Sequence, residues 1–319
     1  GNSIAEGTTA SAFRVRPSTK LADIVNSTPR FVGPPSLSFT DPSYLAFRST
    51  YAGRTPMLYV GSNGGMFHAF EATSGSSGGI ERFAYVPGKM YSNLTRLTTK
   101  PYSHRYFVDG TPSVNDACFG SCAAASDWKT VAVGGYNAGG QGYYAINVTD
   151  PTQWGTEATA AASVLWEFTD VNDPDLGYSY SKPLIVKMSN GRWAAVFGNG
   201  YNNSIAEAGE LACDLGSGTT ADPYRRSDSQ PGCSTSLTGR AYLFILFLDG
   251  GLDGVWTQGI DYIKISTNTG TDLVATSNPT PGTPNGIATP VSIDTNGDGM
   301  VDFVYAGDLW VAGVDGKYV

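Results

Sequence analysis

Charge is scarce in this chain: only 15% of its 319 residues are Asp, Glu, Lys or Arg, where about 25% is usual for a soluble domain. The 28 acidic side chains outnumber the 20 basic ones, giving a net charge of −8. There is no Lys/Arg block, so the footprint expected for a nucleic-acid partner or an anionic membrane surface is missing. Long apolar runs are missing too. The longest, Ala241 to Leu248, is too short to cross a bilayer, so no membrane span is expected. The opening residues, Gly1-Asn-Ser-Ile-Ala, lack the charged-then-apolar order of a leader, which places any export signal upstream. Helix signals are rare, and 40 glycines with 18 prolines disfavour long helices.

Cysteine is limited to four residues in two sequence-local pairs, Cys118/Cys122 and Cys213/Cys233. Both pairs sit among Gly, Ser and Asp, which favours disulfides in an exported protein and the pairing of sequence neighbours. A four-cysteine zinc site is the competing reading. Neither pair has the tight knuckle spacing of two intervening residues, and the two histidines, His68 and His104, stand alone.

What the chain has in abundance is short strand patterns bounded by Gly, Asn and Asp. Trp128 to Val133, Tyr143 to Val148 and Ala241 to Phe247 are rich in β-branched and aromatic residues. They belong to a recurring unit. One copy opens at Thr111-Pro112, runs through Val131 to Asn137 and closes with Gly142 to Asp150. Others open at Pro29, Pro183 and Pro290, and the third carries an insertion at about 203–239. Arg82 to Val86, Val164 to Phe168 and Tyr262 to Ser266 would supply outer strands or further irregular blades. Units of short antiparallel strands repeated along a chain predict an all-β fold, a β-propeller with loop insertions, since each blade's apolar faces need neighbouring blades to cover them. A pair of β-sandwiches is the alternative. The expected organisation is a flanking segment, 1–20, and one propeller domain, 21–319.

One motif carries definite chemistry. Asp294, Asn296, Asp298 and Asp302 stand at positions 1, 3, 5 and 9 of a loop, with Gly299 at position 6. Alternate residues of a tight turn can direct several oxygens to one point, as a hard divalent cation requires, and Gly permits the turn. Met300 would add its backbone carbonyl at position 7. Position 12, where a helix-loop-helix calcium site has a bidentate Glu, is Tyr305, so the loop reads as a shorter nine-residue form closed by Asp302. Aligning the repeats makes it a hairpin turn, equivalent to Lys187-Met-Ser-Asn-Gly-Arg192. Three gathered carboxylates would repel one another without a cation. Calcium is therefore expected over magnesium, which rarely accepts an all-protein cage; the bland alternative is a plain Asp/Asn/Gly turn.

Other oxygen-rich or Gly-rich stretches read as structure. Asp170-Val-Asn-Asp-Pro-Asp175 lacks a glycine and contains Pro174, which makes an ordinary loop the better reading. Asp249 to Gly254 reads as a turn. Gly134-Gly-Tyr-Asn137 and Gly198-Asn-Gly-Tyr-Asn202 follow strands without opening a helix, so they read as blade turns rather than phosphate cradles. His68, in Met-Phe-His-Ala-Phe, reads as a packed strand residue. No Ser/His/Asp or Cys/His set stands out.

Leu21 to Pro29, Tyr59-Val-Gly-Ser-Asn-Gly-Gly-Met-Phe-His-Ala-Phe70, Phe83 to Pro87, Tyr106-Phe-Val-Asp-Gly-Thr-Pro112, Gly198 to Asn202 and Val304-Tyr-Ala-Gly-Asp308 occur in this order. Together they resemble the C-terminal domain of the PilC/PilY family of type IV pilus tip-associated adhesin and biogenesis proteins. The resemblance spans about residues 20 to 312. It implies a modified seven-bladed propeller, exported to the periplasm, outer membrane or cell surface and the pilus tip. Such a module binds calcium and balances pilus extension against retraction, with consequences for twitching motility and attachment. The family's calcium positions fall on Asp294, Asn296, Asp298, Met300 and Asp302. Its partners would be the pilus machinery, major or minor pilins, and host or abiotic surfaces.

An enzyme of the quinone-dependent dehydrogenase type, also a propeller with calcium, is the alternative function, prompted by Phe70-Glu-Ala-Thr-Ser-Gly75. Those enzymes hold calcium against a cofactor beside a catalytic carboxylate. Here a single hairpin would supply every ligand, which leaves no open set for a cofactor and favours the non-enzymatic reading.

Overall fold

The structure is a computed structural model that describes residues 13–14, 20–200, 238–271 and 285–308. Four antiparallel sheets follow one another along the chain. The first joins β1 (Arg30–Val32), β2 (Met57–Ser62), β3 (Met66–Glu71) and β4 (Glu81–Tyr85). The second joins β5 (Ser113–Cys118), β6 (Trp128–Gly135), β7 (Gly142–Asn147) and β8 (Val164–Thr169). The third joins β9 (Leu184–Lys187), β10 (Trp193–Gly198), β11 (Tyr242–Phe247) and β12 (Tyr262–Ser266), and the fourth pairs β13 (Val291–Ile293) with β14 (Phe303–Tyr305). A nine-residue helix, α1 (Pro42–Thr50), lies in the β1–β2 connection.

Every sheet opens one residue after a repeat-marking proline, Pro29, Pro112, Pro183 or Pro290. The segments expected as outer strands or irregular blades, around Arg82, Val164 and Tyr262, are the fourth strands of the first three sheets. This is the meander of a propeller-type fold. The described residues contain four sheets rather than seven, and no closed ring. Residues 201–237, which take in Cys213, Cys233 and nearly all of the insertion expected at about 203–239, lie outside the described residues, as do 1–12, 15–19, 272–284 and 309–319.

The sheets stack because both faces of their strands are apolar, odd and even positions serving different neighbours. Met57, Tyr59, Phe67 and Ala69 pack with Ala132, Tyr144 and Ile146 between the first and second sheets. The alternate residues of the second sheet, Val131, Val133, Tyr143 and Ala145, pack with Ala195, Phe197, Phe244 and Leu246 of the third. Tyr143 and Phe197 stack with ring centroids 3.8 Å apart. The remaining face of the third sheet, Ala194, Val196, Ile245 and Phe247, meets Val304 of the fourth. A Leu or Phe side chain buried in this way contributes about 1.5–3 kcal/mol.

Polar contacts at the blade junctions repeat as well. Gly61 N donates to Ser27 Oγ, which donates to Gly110 O at 2.9 Å. Two repeats later, Gly198 N donates to Ser181 Oγ, which donates to Ala288 O at 3.2 Å. The backbone approach here excludes any side chain, since a Cβ on Gly198 would stand 2.2 Å from Ile287 O. Asn199 completes the junction, accepting from Tyr242 N and Ile287 N while donating to Asp175 O and Arg240 O. Residues 198–200, the described part of this Gly/Asn motif, thus lie at the end of β10.

Cys118 and Cys122 form a disulfide that clips the connection after β5, with Cα atoms 5.7 Å apart. Among the described residues, no helix is long and apolar enough to cross a membrane.

Candidate metal-binding hairpin and its surroundings

The loop from Asp294 to Asp302 joins β13 to β14, in register Val291↔Tyr305 and Ile293↔Phe303. It is the hairpin turn that the repeats predict. Gly297 and Gly299 take positive φ values of 75° and 80°, which reverses the chain twice within the loop. Asp294, Asn296 and Asp298 each curl over the backbone that follows, and Asp302 reaches back. Asp294 accepts from Gly297 N at 2.7 Å and Gly299 N at 2.8 Å. Asn296 Oδ1 accepts from Asp298 N at 2.9 Å, and Asp298 Oδ1 from Met300 N at 2.8 Å. Asp302 Oδ2 accepts from both the amide and the hydroxyl of Thr295. Those two hydrogen bonds hold the Asp302 carboxyl below the usual carboxylate range.

The chemistry of this donor set fits a hard cation: oxygens at alternating positions of an exposed, twice-turned loop, with three carboxylates in nine residues. The oxygens are not drawn to one point. Among the described residues, no three His, Cys, Asp or Glu side chains come together as a metal cluster. The hairpin is instead pinned where it meets its neighbours. Val301 N donates to Lys187 O at 2.8 Å, and Val301 bridges Met188, so the loop lies against the equivalent turn of the third sheet.

The second oxygen-rich stretch, 170–175, is an ordinary loop, as its proline suggested. Lys89 Nζ reaches Asp170 Oδ1 at 2.6 Å. Lys264 Nζ lies 2.9 Å from Asp173 Oδ1 and 2.6 Å from Asp175 Oδ2. Tyr262 donates to Asp173 at 2.8 Å. Burial works to lower the Lys264 pKa, and the hydrogen bonds it donates to Asp175 and Asp173 outweigh it, leaving the ammonium above its usual value. Two lysines thus neutralise a position where a cation could otherwise be supposed.

One constellation escaped the sequence. Ser62 Oγ lies 2.9 Å from His68 Nε2, and Glu81 Oε1 lies 2.5 Å from His68 Nδ1. The order Ser, His, Glu is that of a nucleophilic relay. Ser62 is only 1% exposed, however, so a substrate has no access, and the set ties β2, β3 and β4 together. The tight turn Asn63-Gly-Gly65 was the available signal. It sets Ser62 opposite Met66 and Val60 opposite His68, which makes Ser62 and His68 diagonal neighbours on one face. His68 is a packed strand residue, as its apolar flanks indicated.

Comparison with known proteins follows from this geometry. The family described as the PilY1 beta-propeller domain matches residues 21–221. Type IV pilus biogenesis factor PilY1 of Pseudomonas aeruginosa (strain PAO1) is 34% identical over 307 residues, 93% of this chain and 20% of its own length. A PilY1 homolog of Xylella fastidiosa is 36% identical over 281 residues, 86% of this chain and 15% of its own. This chain therefore spans about a fifth or less of these curated relatives. The crystal structure of the P. aeruginosa PilY1 C-terminal domain superposes with a TM-score of 0.54 at 29% identity, covering 88% of this chain and 43% of that one. These relatives are named as type IV pilus biogenesis factors. The stacked meanders, the repeated junctions and the matched residues agree: the chain belongs to the PilY1 β-propeller domain family.

Proposed function

We propose that this chain is a calcium-binding module of type IV pilus biogenesis and adhesion, whose hairpin state biases pilus extension against retraction. The observation that carries the reading is the 294–302 loop. The equivalent turn of the third sheet, 188–192, connects its strands without the carboxylate set, so the sheet does not need acidic residues there. Asp294, Asn296, Asp298 and Asp302, with the Met300 carbonyl, would hold the ion. Calcium supplies only charge and a coordination sphere, neutralising three carboxylates and selecting one loop conformation for a partner to distinguish.

The partners are the pilus machinery, including major or minor pilins, and host or abiotic surfaces. The place of action is outside the cytoplasm: periplasm, outer membrane or cell surface, and pilus tip. The disulfide supports an oxidising compartment, and the PilY1 relatives are pilus biogenesis factors by name. Residues 21–319 belong to one propeller of the modified seven-bladed type, preceded by the flanking segment 1–20. The apolar face of Val291, Ile293, Phe303 and Tyr305, exposed on the fourth sheet, supports continuation of the stack by further blades.

The test is calorimetry with calcium chloride on the wild type and on Asp298→Ala. One ion per chain is expected for the wild type and no binding for the variant. Cells carrying Asp298→Ala should export normal amounts of protein yet show altered surface piliation or twitching. Normal motility despite proven loss of calcium would reduce the loop to a local clamp.

A further inference from the structure

The β1–β2 connection, residues 33–56, belongs to the first sheet by sequence but does most of its packing elsewhere. Tyr44 and Phe47 of α1 are fully buried in the cluster between the second and third sheets. The anchors are specific. Tyr44 donates to Asp116 Oδ2 at 2.8 Å and accepts from Leu37 N at 3.0 Å. Ser43 Oγ donates to Cys122 O at 2.7 Å and accepts from Trp128 Nε1 at 3.0 Å. Arg54 Nη1 donates to Thr130 Oγ1 at 2.6 Å. The connection is thus a strap laid from the first sheet across the second to the third.

Its far point is Phe39. The ring centroid lies 5.2 Å from that of Tyr44 and 5.7 Å from those of both Trp128 and Trp193. On its other side, Phe39 Cε1 lies 3.6 Å from where a Cβ on Gly299 would stand. Gly299 is position 6 of the candidate cation loop, between Asp298 and Met300, and its φ is 80°. Two residues on, Val301 is bonded to Lys187 O. The strap therefore comes near the loop at Gly299, while the third sheet holds the loop at Val301.

We infer that Phe39 couples the hairpin to the strap, so that cation occupancy at 294–302 is felt at the junction of the second and third sheets and carried back to the first. This rests on the calcium reading above. Gathering the oxygens of Asp298 and the Met300 carbonyl onto a sphere of about 2.3–2.6 Å must reposition the Gly299 backbone between them. An aromatic cluster packed at interior density does not absorb that shift by compression, so the Phe39 ring moves with it. By linkage, a packing change at Phe39 alters the affinity of the loop. Phe39 is a positioning residue and touches no ligand atom.

The test titrates the chain with calcium chloride, reading binding by calorimetry and the environment of Trp128 and Trp193 by tryptophan emission. The wild type should bind and change its emission. Phe39→Ala, with an unchanged circular dichroism spectrum, should bind at least about fivefold more weakly and lose the emission change. Hydrogen exchange on the wild type gives a readout independent of any variant's folding. The Leu37 and Leu45 amides should exchange more slowly with calcium present. Binding by the wild type with neither an emission change nor slower exchange in the strap overturns the coupling and leaves the metal site standing. Phe39→Ala with unaltered affinity and emission response does the same. Absence of binding to the wild type overturns the metal site and the coupling together.

Discussion

Two stretches of this chain are almost equally rich in side-chain oxygens, and the fold treats them in opposite ways. Residues 170–175 lie between sheets, with Asp170 and Asp173 almost wholly buried, and cations come to them as Lys89, from the helical turn that follows the first sheet, and Lys264, from the third sheet. Residues 294–302 sit at an exposed hairpin tip where, among the described residues, none of Asp294, Asp298 and Asp302 has an ion pair. Their oxygens are occupied by amides and one hydroxyl of the loop itself. Burial demands compensation within the protein, because an unpaired interior carboxylate is too costly. Exposure makes no such demand and leaves the oxygens available to an ion from solution. Composition alone does not separate a lysine-clamped loop from one without an ion pair; the distance to the nearest ammonium does.

The comparison breaks most readily at Lys264. Lys264→Met leaves Asp173 and Asp175 without their ammonium and should cost about 3–5 kcal/mol in urea unfolding. A loss under about 1 kcal/mol would place this pair with exposed ion pairs and remove the distinction. Calcium should not rescue the variant.

Calcium itself should act only at the hairpin. At a concentration about a hundredfold above its dissociation constant it should stabilise the wild type by about 2.7 kcal/mol, seen as a rise in melting temperature that a chelator reverses. Asp298→Ala should abolish that rise. An undiminished rise in the variant would move the ion to another site.

Without calcium, Asp298→Ala should change stability by no more than about 0.5 kcal/mol, the range for exposed substitutions. A larger loss would mean that the hydrogen bonds within the loop hold the fourth sheet together. The smallest effect is the pH response of the clamp. Because the Lys264 pKa is raised on folding, its contribution is complete below the unfolded value of about 10.4 and is lost as pH rises through the still higher folded value. Urea midpoints should therefore be insensitive to this group between neutrality and about pH 10. An earlier decline that disappears in Lys264→Met would reverse the sign of the shift.

Much of the fold was legible because strands and turns are local. Short β-branched and aromatic runs and the prolines before each repeat placed the first strands of all four sheets, and the alignment of the repeats placed the 294–302 hairpin. The turn that carries the candidate donors is local for the same reason: a nine-residue loop contains its own oxygens, and Gly297 and Gly299 make its reversals. The Ser62, His68 and Glu81 set was less accessible. Two members follow from a tight hairpin, while the third depends on how β4 pairs with β3, where the register shifts between Ala69 and Phe70.

By itself, then, the sequence determined the all-β character, the repeat, the sequence-local disulfide Cys118–Cys122 and the oxygen-bearing loop, since each depends on residues within a few positions of one another. Only the tertiary structure decided which acidic loop receives lysines and where the strap of the first sheet ends. Lys89 lies 81 residues from Asp170, and Lys264 lies 91 from Asp173. Phe39 comes near Gly299 from the opposite end of the described chain. Contacts of that range have no sequence periodicity. They arise because stacking covers the apolar faces of the sheets, and the side chains at the junctions then find the partners that stacking brings within reach.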